Sequence, residues 1–141
     1  MQAMTQAEIK QFLTKKPRTA VLATTRADGS PHAAPIWFEL DGDELVFTTW
    51  YSTVKAANLV RDPRLALVVD DETPPYAFVL IEGTAALDPA ADDLLYWTTR
   101  IAGRYLGEEL APSYGARNAV PGEWLVRVTP TRIVAQKGIA D

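Results

Sequence analysis

The chain has 141 residues, 48% of them hydrophobic and 23% charged, which fits one ordinary globular domain over residues 1–141. Its formal net charge of −4 disfavours nonspecific attraction to nucleic acid or to an anionic membrane, so a bound anion needs a local basic pocket. Cysteine is absent and His32 is the only histidine, which excludes disulfides, cysteine catalysis and a multi-histidine metal site.

The first half of the chain predicts one helix followed by strands joined through tight turns. Thr5-Gln6-Ala7-Glu8 has the form of a capping box and starts a helix over 6–16, which Pro17 ends. Polar residues interrupt this segment and no later run is long and apolar enough to span a membrane, so we expect a cytoplasmic protein. The predicted strands cover 18–25, 31–40 and 44–49, with turns at 27–30 and 41–43.

The second half predicts two more helices and the remaining strands. One helix covers 54–61, and a second starts at Asp88-Pro89 and carries the apolar stripe Leu94, Trp97, Ile101 and Tyr105. The predicted strands cover 64–70, 76–87, 124–129 and 132–136, and 107–122 is expected to be irregular. Gly83 indicates a bulge or bend, and Pro130 a kink or an edge. Six or seven antiparallel strands and three helices favour a mainly β, α+β fold: a closed barrel with peripheral helices.

The junction at "STVK" carries the most chemistry. Ser52, Thr53 and Lys55 stand where a strand becomes a helix, and a helix N-terminus offers free amides and a positive partial charge. These residues predict either an N-cap beside a solvated lysine or a site for an anion such as a phosphate. The local sequence leaves both interpretations open.

The ordered motifs "DGSPH", "PIWF", "STVK", "NLVRDPR" and "EGTA" resemble the pyridoxamine-phosphate-oxidase-like, flavin-binding split-barrel family. Within it, the chain looks most like the branch of probable coenzyme F420-dependent oxidoreductases. The resemblance covers residues 9 to about 102, and "VRVTPTRIVA" matches the final strands more loosely. It implies a homodimer of six-stranded antiparallel split barrels with cofactor sites at the interface. The adjacent carboxylates Asp70, Asp71 and Glu72 are expected to form a solvated loop, so no metal site is assigned.

The resemblance also implies the residues that bind the cofactor. The strand segment around Ala34 would run beside the flavin or deazaflavin ring, and Lys55 would be the main cation for the phosphate, with hydroxyls as donors. The strand that begins at Tyr76 would reach the cofactor across the dimer interface. The implied cofactor-binding residues are Ala34, Pro35, Ile36, Trp37, Thr49, Ser52, Thr53, Lys55, Asn58, Tyr76 and Phe78.

The leading functional hypothesis is a reductase that transfers hydride from reduced F420 to an unidentified small organic acceptor. Many relatives carry arginine where this chain has Thr53, so Lys55 is the only basic residue of the segment. A single cation suits the singly charged phosphodiester of F420 better than the doubly charged phosphate of FMN. An FMN-dependent oxidoreductase and a noncatalytic protein that binds flavin or haem are the alternatives. Further charge could come from Arg61, Arg64, Arg127 or Arg132.

Two aromatic side chains and the single histidine also lie on the predicted strand 31–40. Trp37 and Phe38 follow Pro35 on one predicted strand, so their rings should face opposite sides of the sheet. His32 is expected to be a solvent-exposed strand residue beside a turn, and we assign it no catalytic role. No catalytic dyad is recognisable, which suits a reaction in which the cofactor carries the chemistry.

Overall fold

A computed structural model describes all of the residues Met1–Asp141 and contains eight strands and four helices. The expected count of six or seven strands is therefore wrong, since the structure adds a short N-terminal strand, divides the predicted strand 31–40 in two and joins the last two predicted strands into one. The strands are β1 Gln2–Ala3, β2 Ala20–Thr25, β3 Pro31–Ile36, β4 Glu39–Asp41, β5 Glu44–Trp50, β6 Arg64–Asp71, β7 Ala77–Asp88 and β8 Glu123–Lys137. The helices are α1 Gln6–Lys15, α2 Val54–Arg61, α3 Leu94–Leu106 and α4 Ala111–Asn118.

All strands belong to one antiparallel sheet in the order β3-β2-β6-β7-β8-β5-β4, with β1 added to the end of β8. β3 and β4 form the two ends of this path and do not pair with each other. Only Trp37 and Phe38 separate these two strands along the chain, so the two edges must lie close together. The sheet therefore curls on itself, and the predicted strand 31–40 is divided at the point where the sheet is split.

The final two predicted strands are one continuous strand of 15 residues. Pro130 pairs with Gly83, while Glu82 pairs with Arg132, so Thr131 is an extra residue opposite the Glu82–Gly83 step. This bulge confirms the bend predicted at Gly83, and it accommodates a proline that cannot donate to the ladder. A Cβ on Gly83 would lie 2.6 Å from the Thr129 carbonyl oxygen, so the close approach of the two backbones requires glycine.

The main core fills the inside of the curled sheet. Its 16 buried residues come mostly from alternate positions of the strands, which is the period-2 pattern expected of a sheet with one buried face. Phe38, Phe47 and Val126 have no exposed surface. Helix α1 contributes Leu13 to this core, and its capping box of Thr5 and Glu8 is present as predicted.

Helices α3 and α4 pack outside the barrel. Trp97 of α3 joins Val46 and Leu125 in a second buried cluster on the outer face of the β5–β8 pair. The predicted helix start at Asp88-Pro89 is wrong, because β7 extends to Asp88 and α3 begins at Leu94. The expected irregular segment 107–122 contains α4, whose Gly115 allows close packing on Thr99 of α3.

No helix in the chain combines the length and the apolar character needed to cross a membrane.

Candidate functional site

The first turn of α2 is built around the Thr53 hydroxyl. Thr53 is the N-cap: its Oγ1 accepts the Ala56 amide at 3.2 Å and donates to the Trp50 carbonyl at 3.0 Å. The buried Thr49 hydroxyl lies 2.8 Å from the same oxygen and must donate to it, since Thr53 has only one proton to give. Every hydrogen-bonding position of the Thr53 hydroxyl is thus occupied within the chain, and Thr53 caps the helix.

Lys55 remains free for a ligand. It is the second residue of α2, it is half-buried, and no carboxylate oxygen lies within the 4.0 Å limit of an ion pair. Ser52 beside it is exposed and makes no hydrogen bond to the protein. The amides of Val54 and Lys55 have no intrahelical partner, because the first residues of any helix lack one. Lys55, Ser52 and these amides together form a set of donors suited to an anion.

The arginines that were candidates to reinforce Lys55 are engaged elsewhere. Arg61 donates to the Thr25 carbonyl and, at 3.0 Å, to Asn58 Oδ1. The other three pair with carboxylates: Arg64 with Asp62 at 2.8 Å, Arg127 with Asp41 at 2.7 Å and Arg132 with Glu82 at 3.8 Å. Lys55 is consequently the one cation at the start of α2 that lacks a protein partner.

Asn58 is 3% exposed, and its side chain is hydrogen-bonded within the protein. Its amide nitrogen donates to the Thr24 hydroxyl at 3.0 Å, and its oxygen accepts from Arg61, so its side chain links α2 to the end of β2.

His32 pairs with Thr24 across β2 and β3. It is half-buried, not exposed as expected, and its Nδ1 is buried without a hydrogen-bond partner.

The β3 residues divide between the two faces of the sheet. Ala34 and Ile36 pair with the buried Leu22 and Ala20, so their side chains face the barrel interior and only their backbone is available to a ligand outside. Pro35 faces outward. Trp37 and Phe38 lie after the strand, with Phe38 fully buried and Trp37 44% exposed. The Trp37 ring stacks on Tyr105 of α3, with centroids 4.8 Å apart and planes 3° from parallel.

Tyr76 and Phe78 lie far from β3 along the sheet. Strands β2 and β6 separate β3 from β7, a distance of roughly 14 Å across the hydrogen-bonding direction. Tyr76 is 41% exposed, and Phe78 is half-buried on the outer face between Asp70 and Gln136. One chain therefore does not bring these two aromatic side chains together with the β3 segment.

The outer face of the sheet carries an unbroken apolar row across five strands. The register aligns Pro35 of β3 with Val21 of β2, Val68 of β6, Leu80 of β7 and Val134 of β8. Each of these side chains is exposed or half-buried, and Val21 is 44% exposed. An apolar strip of this length on a single chain is typical of an interaction surface.

Glu123 is a polar residue of this region that the sequence did not single out. It is the first residue of β8 and pairs with Trp50, close to Thr48 and Lys55. Burial raises the pKa of its carboxyl, and the Thr48 hydroxyl and the Lys55 charge oppose that shift. A glutamate at the edge of a predicted strand carries no signal in the sequence, because its neighbours on β5 and α2 are distant along the chain.

Three cavities are large enough for a small molecule. One of about 430 Å³ lies between β5, α3 and α4, with Trp37 and Thr48 in its wall. A second, about 510 Å³, lies beneath α1, and a third, about 550 Å³, lies beside β7 and β8 where the chain approaches α3; neither contains any of the implied cofactor-binding residues. The first cavity is thus the one that adjoins the predicted position of the cofactor ring.

The comparisons with known proteins agree with this architecture. The family model described as pyridoxamine 5'-phosphate oxidase matches residues 5–137. The conserved hypothetical protein Rv2991 from Mycobacterium tuberculosis is 28% identical, with a TM-score of 0.83 over 96% of this chain and 86% of that chain. An F420 reductase is also 28% identical, with a TM-score of 0.69 over 87% of this chain and 94% of that chain.

The heme storage protein HutZ from Vibrio cholerae shares the fold at 17% identity, with a TM-score of 0.74 over 96% of this chain and 98% of that chain. No curated protein matches the chain. The family match spans nearly the whole sequence, from α1 to the end of β8, and confirms the resemblance drawn from the motifs. The chain belongs to the pyridoxamine 5'-phosphate oxidase family.

Proposed function

We propose that this protein is a homodimeric oxidoreductase that binds coenzyme F420 and uses it to reduce a small organic acceptor. Lys55 carries the proposal, because it is a half-buried cation without a carboxylate partner at the N-terminus of α2. Partial burial of an unpaired charge costs free energy, and a bound phosphate would offset that cost. The helix N-terminus adds a field that favours the same anion.

The charge at this position favours F420 over FMN. Arg61, Arg64, Arg127 and Arg132 all have protein partners, so Lys55 alone faces the phosphate. One cation balances the single charge of a phosphodiester and leaves about one charge of a phosphate monoester uncompensated. Glu123 nearby would repel the second charge further. The 28% identity to an F420 reductase supports the same choice.

The residues available to hold the ring lie along β3. Pro35 and the backbone of Ala34 form an outward surface, and the stacked Trp37 borders it. Reduced F420, when bound, supplies a hydride, and the acceptor takes up that hydride and a proton. The protein would hold the phosphate with Lys55 and Ser52, orient the ring against β3 and exclude water with apolar side chains.

A second copy of the chain would complete the site. The apolar row from Pro35 to Val134 covers the outer face next to β3, and burying it in a dimer removes it from water. Phe78 lies on the same face three strands from β3, and Tyr76 directly precedes β7, so a partner's copy would be needed to bring them over the cofactor. This arrangement supports cofactor sites at a dimer interface.

The cofactor proposal is tested by titrating F420 and FMN against the wild-type protein and Lys55→Met, followed by fluorescence. Loss of a charged hydrogen bond worth about 1.5–3 kcal/mol should weaken F420 binding by roughly 10- to 100-fold. Lys10→Met, which removes an exposed lysine from α1, is the charge-matched control and should change nothing. Unchanged affinity in Lys55→Met would refute the phosphate site, and tighter binding of FMN would refute the choice of cofactor.

Catalysis and storage are separated by supplying reduced F420 together with candidate acceptors. An oxidoreductase oxidises the cofactor in an acceptor-dependent manner, whereas a noncatalytic flavin- or haem-binding protein holds its ligand without turnover. If the protein does not accelerate the oxidation of reduced F420 with any of the acceptors, the enzymatic part of the proposal is wrong.

The dimer is tested by sedimentation. The wild-type protein should sediment at twice the chain mass of 15.5 kDa, and Val68→Lys in the middle of the apolar row should shift it toward the monomer. Val60→Lys places the same charge at a 61% exposed valine of α2 outside the row and serves as the control. A sedimentation mass of the wild-type protein equal to that of one chain would refute the proposed cofactor site at a dimer interface.

A further inference from the structure

The cavity between β5, α3 and α4 has the character of a ligand pocket in its own right. Its volume of about 430 Å³ lies within the range of small-molecule sites, roughly 300–1,000 Å³. Ile101 and its neighbours on α3 supply an apolar wall, Trp37 and Thr48 border the barrel side, and Tyr114, Arg117 and Asn118 of α4 line the rest. No acidic side chain lines it.

Arg117 gives this cavity a positive charge that nothing in the protein neutralises. Every other arginine of the chain makes a hydrogen bond or an ion pair with the protein, whereas Arg117 makes neither. Arg117 is exposed, and its guanidinium lies over the ring of Tyr114, 5.4 Å from the centroid, a weak contact that places the group at the cavity without consuming its donors. A guanidinium with free donors at the wall of a cavity is suited to a planar anion such as a carboxylate.

Trp37 supplies a rigid planar surface in the same cavity. Its ring is stacked on Tyr105, and the Tyr105 hydroxyl is fixed by donating to the Arg18 carbonyl at 2.7 Å and accepting the Phe38 amide at 3.3 Å. Because this support prevents the indole from rotating freely, an aromatic ligand can pack on it at a small entropic cost. The cavity thus combines a flat apolar platform with one free cation.

We propose that this cavity binds a planar, largely apolar small molecule that carries one anionic group, and that Arg117 recognises the anion. The identification of this molecule as the acceptor of the reduction rests on the proposed function. That identification follows from the position of Trp37, which borders both the cavity and the predicted ring site. Binding itself does not depend on that function.

A pair of fluorescent probes that differ by one charged group tests the proposal. The anionic probe is 8-anilinonaphthalene-1-sulfonate, and N-phenyl-1-naphthylamine is its neutral counterpart without the sulfonate. Arg117→Gln should weaken binding of the sulfonate by about tenfold or more and leave that of the neutral probe within about twofold. Arg100→Gln is the matched control, since Arg100 also lies over a tyrosine ring, that of Tyr96 at 5.6 Å, but does not line the cavity.

Two further variants locate the probe and separate this proposal from the cofactor proposal. Trp37→Leu should weaken both probes, whereas Trp50→Leu, at a tryptophan of similar exposure outside the cavity, should weaken neither. Lys55→Met should leave both probes unaffected while it weakens F420. The anion site would be refuted if Arg117→Gln leaves the affinity for the sulfonate unchanged, or if it weakens the binding of both probes equally. This conclusion holds for any result of the F420 titration. Loss of the cofactor site with intact Arg117-dependent binding would refute only the proposed function.

Discussion

Replacing Thr53 by alanine separates the helix cap from the cofactor site. The change removes the oxygen that accepts the Ala56 amide and also removes the only acceptor for the Thr49 hydroxyl, which is 2% exposed. Loss of an N-cap costs about 1 kcal/mol, and a buried hydroxyl without a partner costs about 1 kcal/mol more. We expect the free energy of unfolding to fall by about 2 kcal/mol, which corresponds to a decrease in Tm of roughly 8 °C.

The measurement is urea unfolding of the cofactor-free protein at one fixed protein concentration, because dimerisation would make stability depend on concentration. Thr53→Ser keeps the hydroxyl and should stay within about 0.5 kcal/mol of the wild type. Ser52→Ala, one residue earlier and exposed, should also have little effect on stability. If Thr53→Ala is no less stable than Ser52→Ala, the hydrogen-bond network around Thr53 does not support the first turn as argued.

Two other changes test the surroundings of the site. Burial raises the pKa of Glu123 in the folded protein, so unfolding becomes easier as the pH rises from about 4.3 through the higher folded value. Glu123→Gln should therefore stabilise the protein at about pH 7 but not at about pH 3. The same change should tighten the binding of an anion at Lys55. Equal effects on stability at both pH values would contradict this explanation. Gly115→Ala should destabilise the protein by about 1–3 kcal/mol, since its Cβ would lie 2.8 Å from the Thr99 Cα, as thermal melting can show. Gly103→Ala, whose Cβ would have no contact closer than 3.4 Å, is the control, and a similar loss there would argue against the steric explanation.

Local sequence patterns predicted the elements that depend on neighbouring residues. The capping box of α1, the bounds of α2 and the bend at Gly83 are all present, because each arises from contacts within a few residues or from glycine's lack of a side chain. The predictions that failed concern positions where distant segments meet. Helix α4 lies in the segment 107–122 that was expected to be irregular, and it packs through Gly115 on Thr99 of α3, a contact that local patterns do not reveal.

The candidate site shows the same division. The sequence indicated that a cap or an anion site lies at "STVK", but it could not assign the two roles to particular side chains. The structure gives the cap to Thr53, through Thr49 and Trp50, and leaves Lys55 without a partner. The ion pairs that Arg64, Arg127 and Arg132 form with Asp62, Asp41 and Glu82 could not be predicted from the sequence either, because they depend on how the strands are placed in the sheet.

By itself, the sequence determined the family, the antiparallel strands and the position of a basic residue at the start of α2, since these follow from motif order, residue periodicity and local capping chemistry. Only the tertiary structure decided which face of each strand is exposed, and so aligned Pro35, Val21, Val68, Leu80 and Val134 in one row. A shift of register by one residue would turn every one of these side chains inward. That register, and the packing of α3 and α4 that forms the cavity beside Trp37, depend on contacts between residues far apart in the chain.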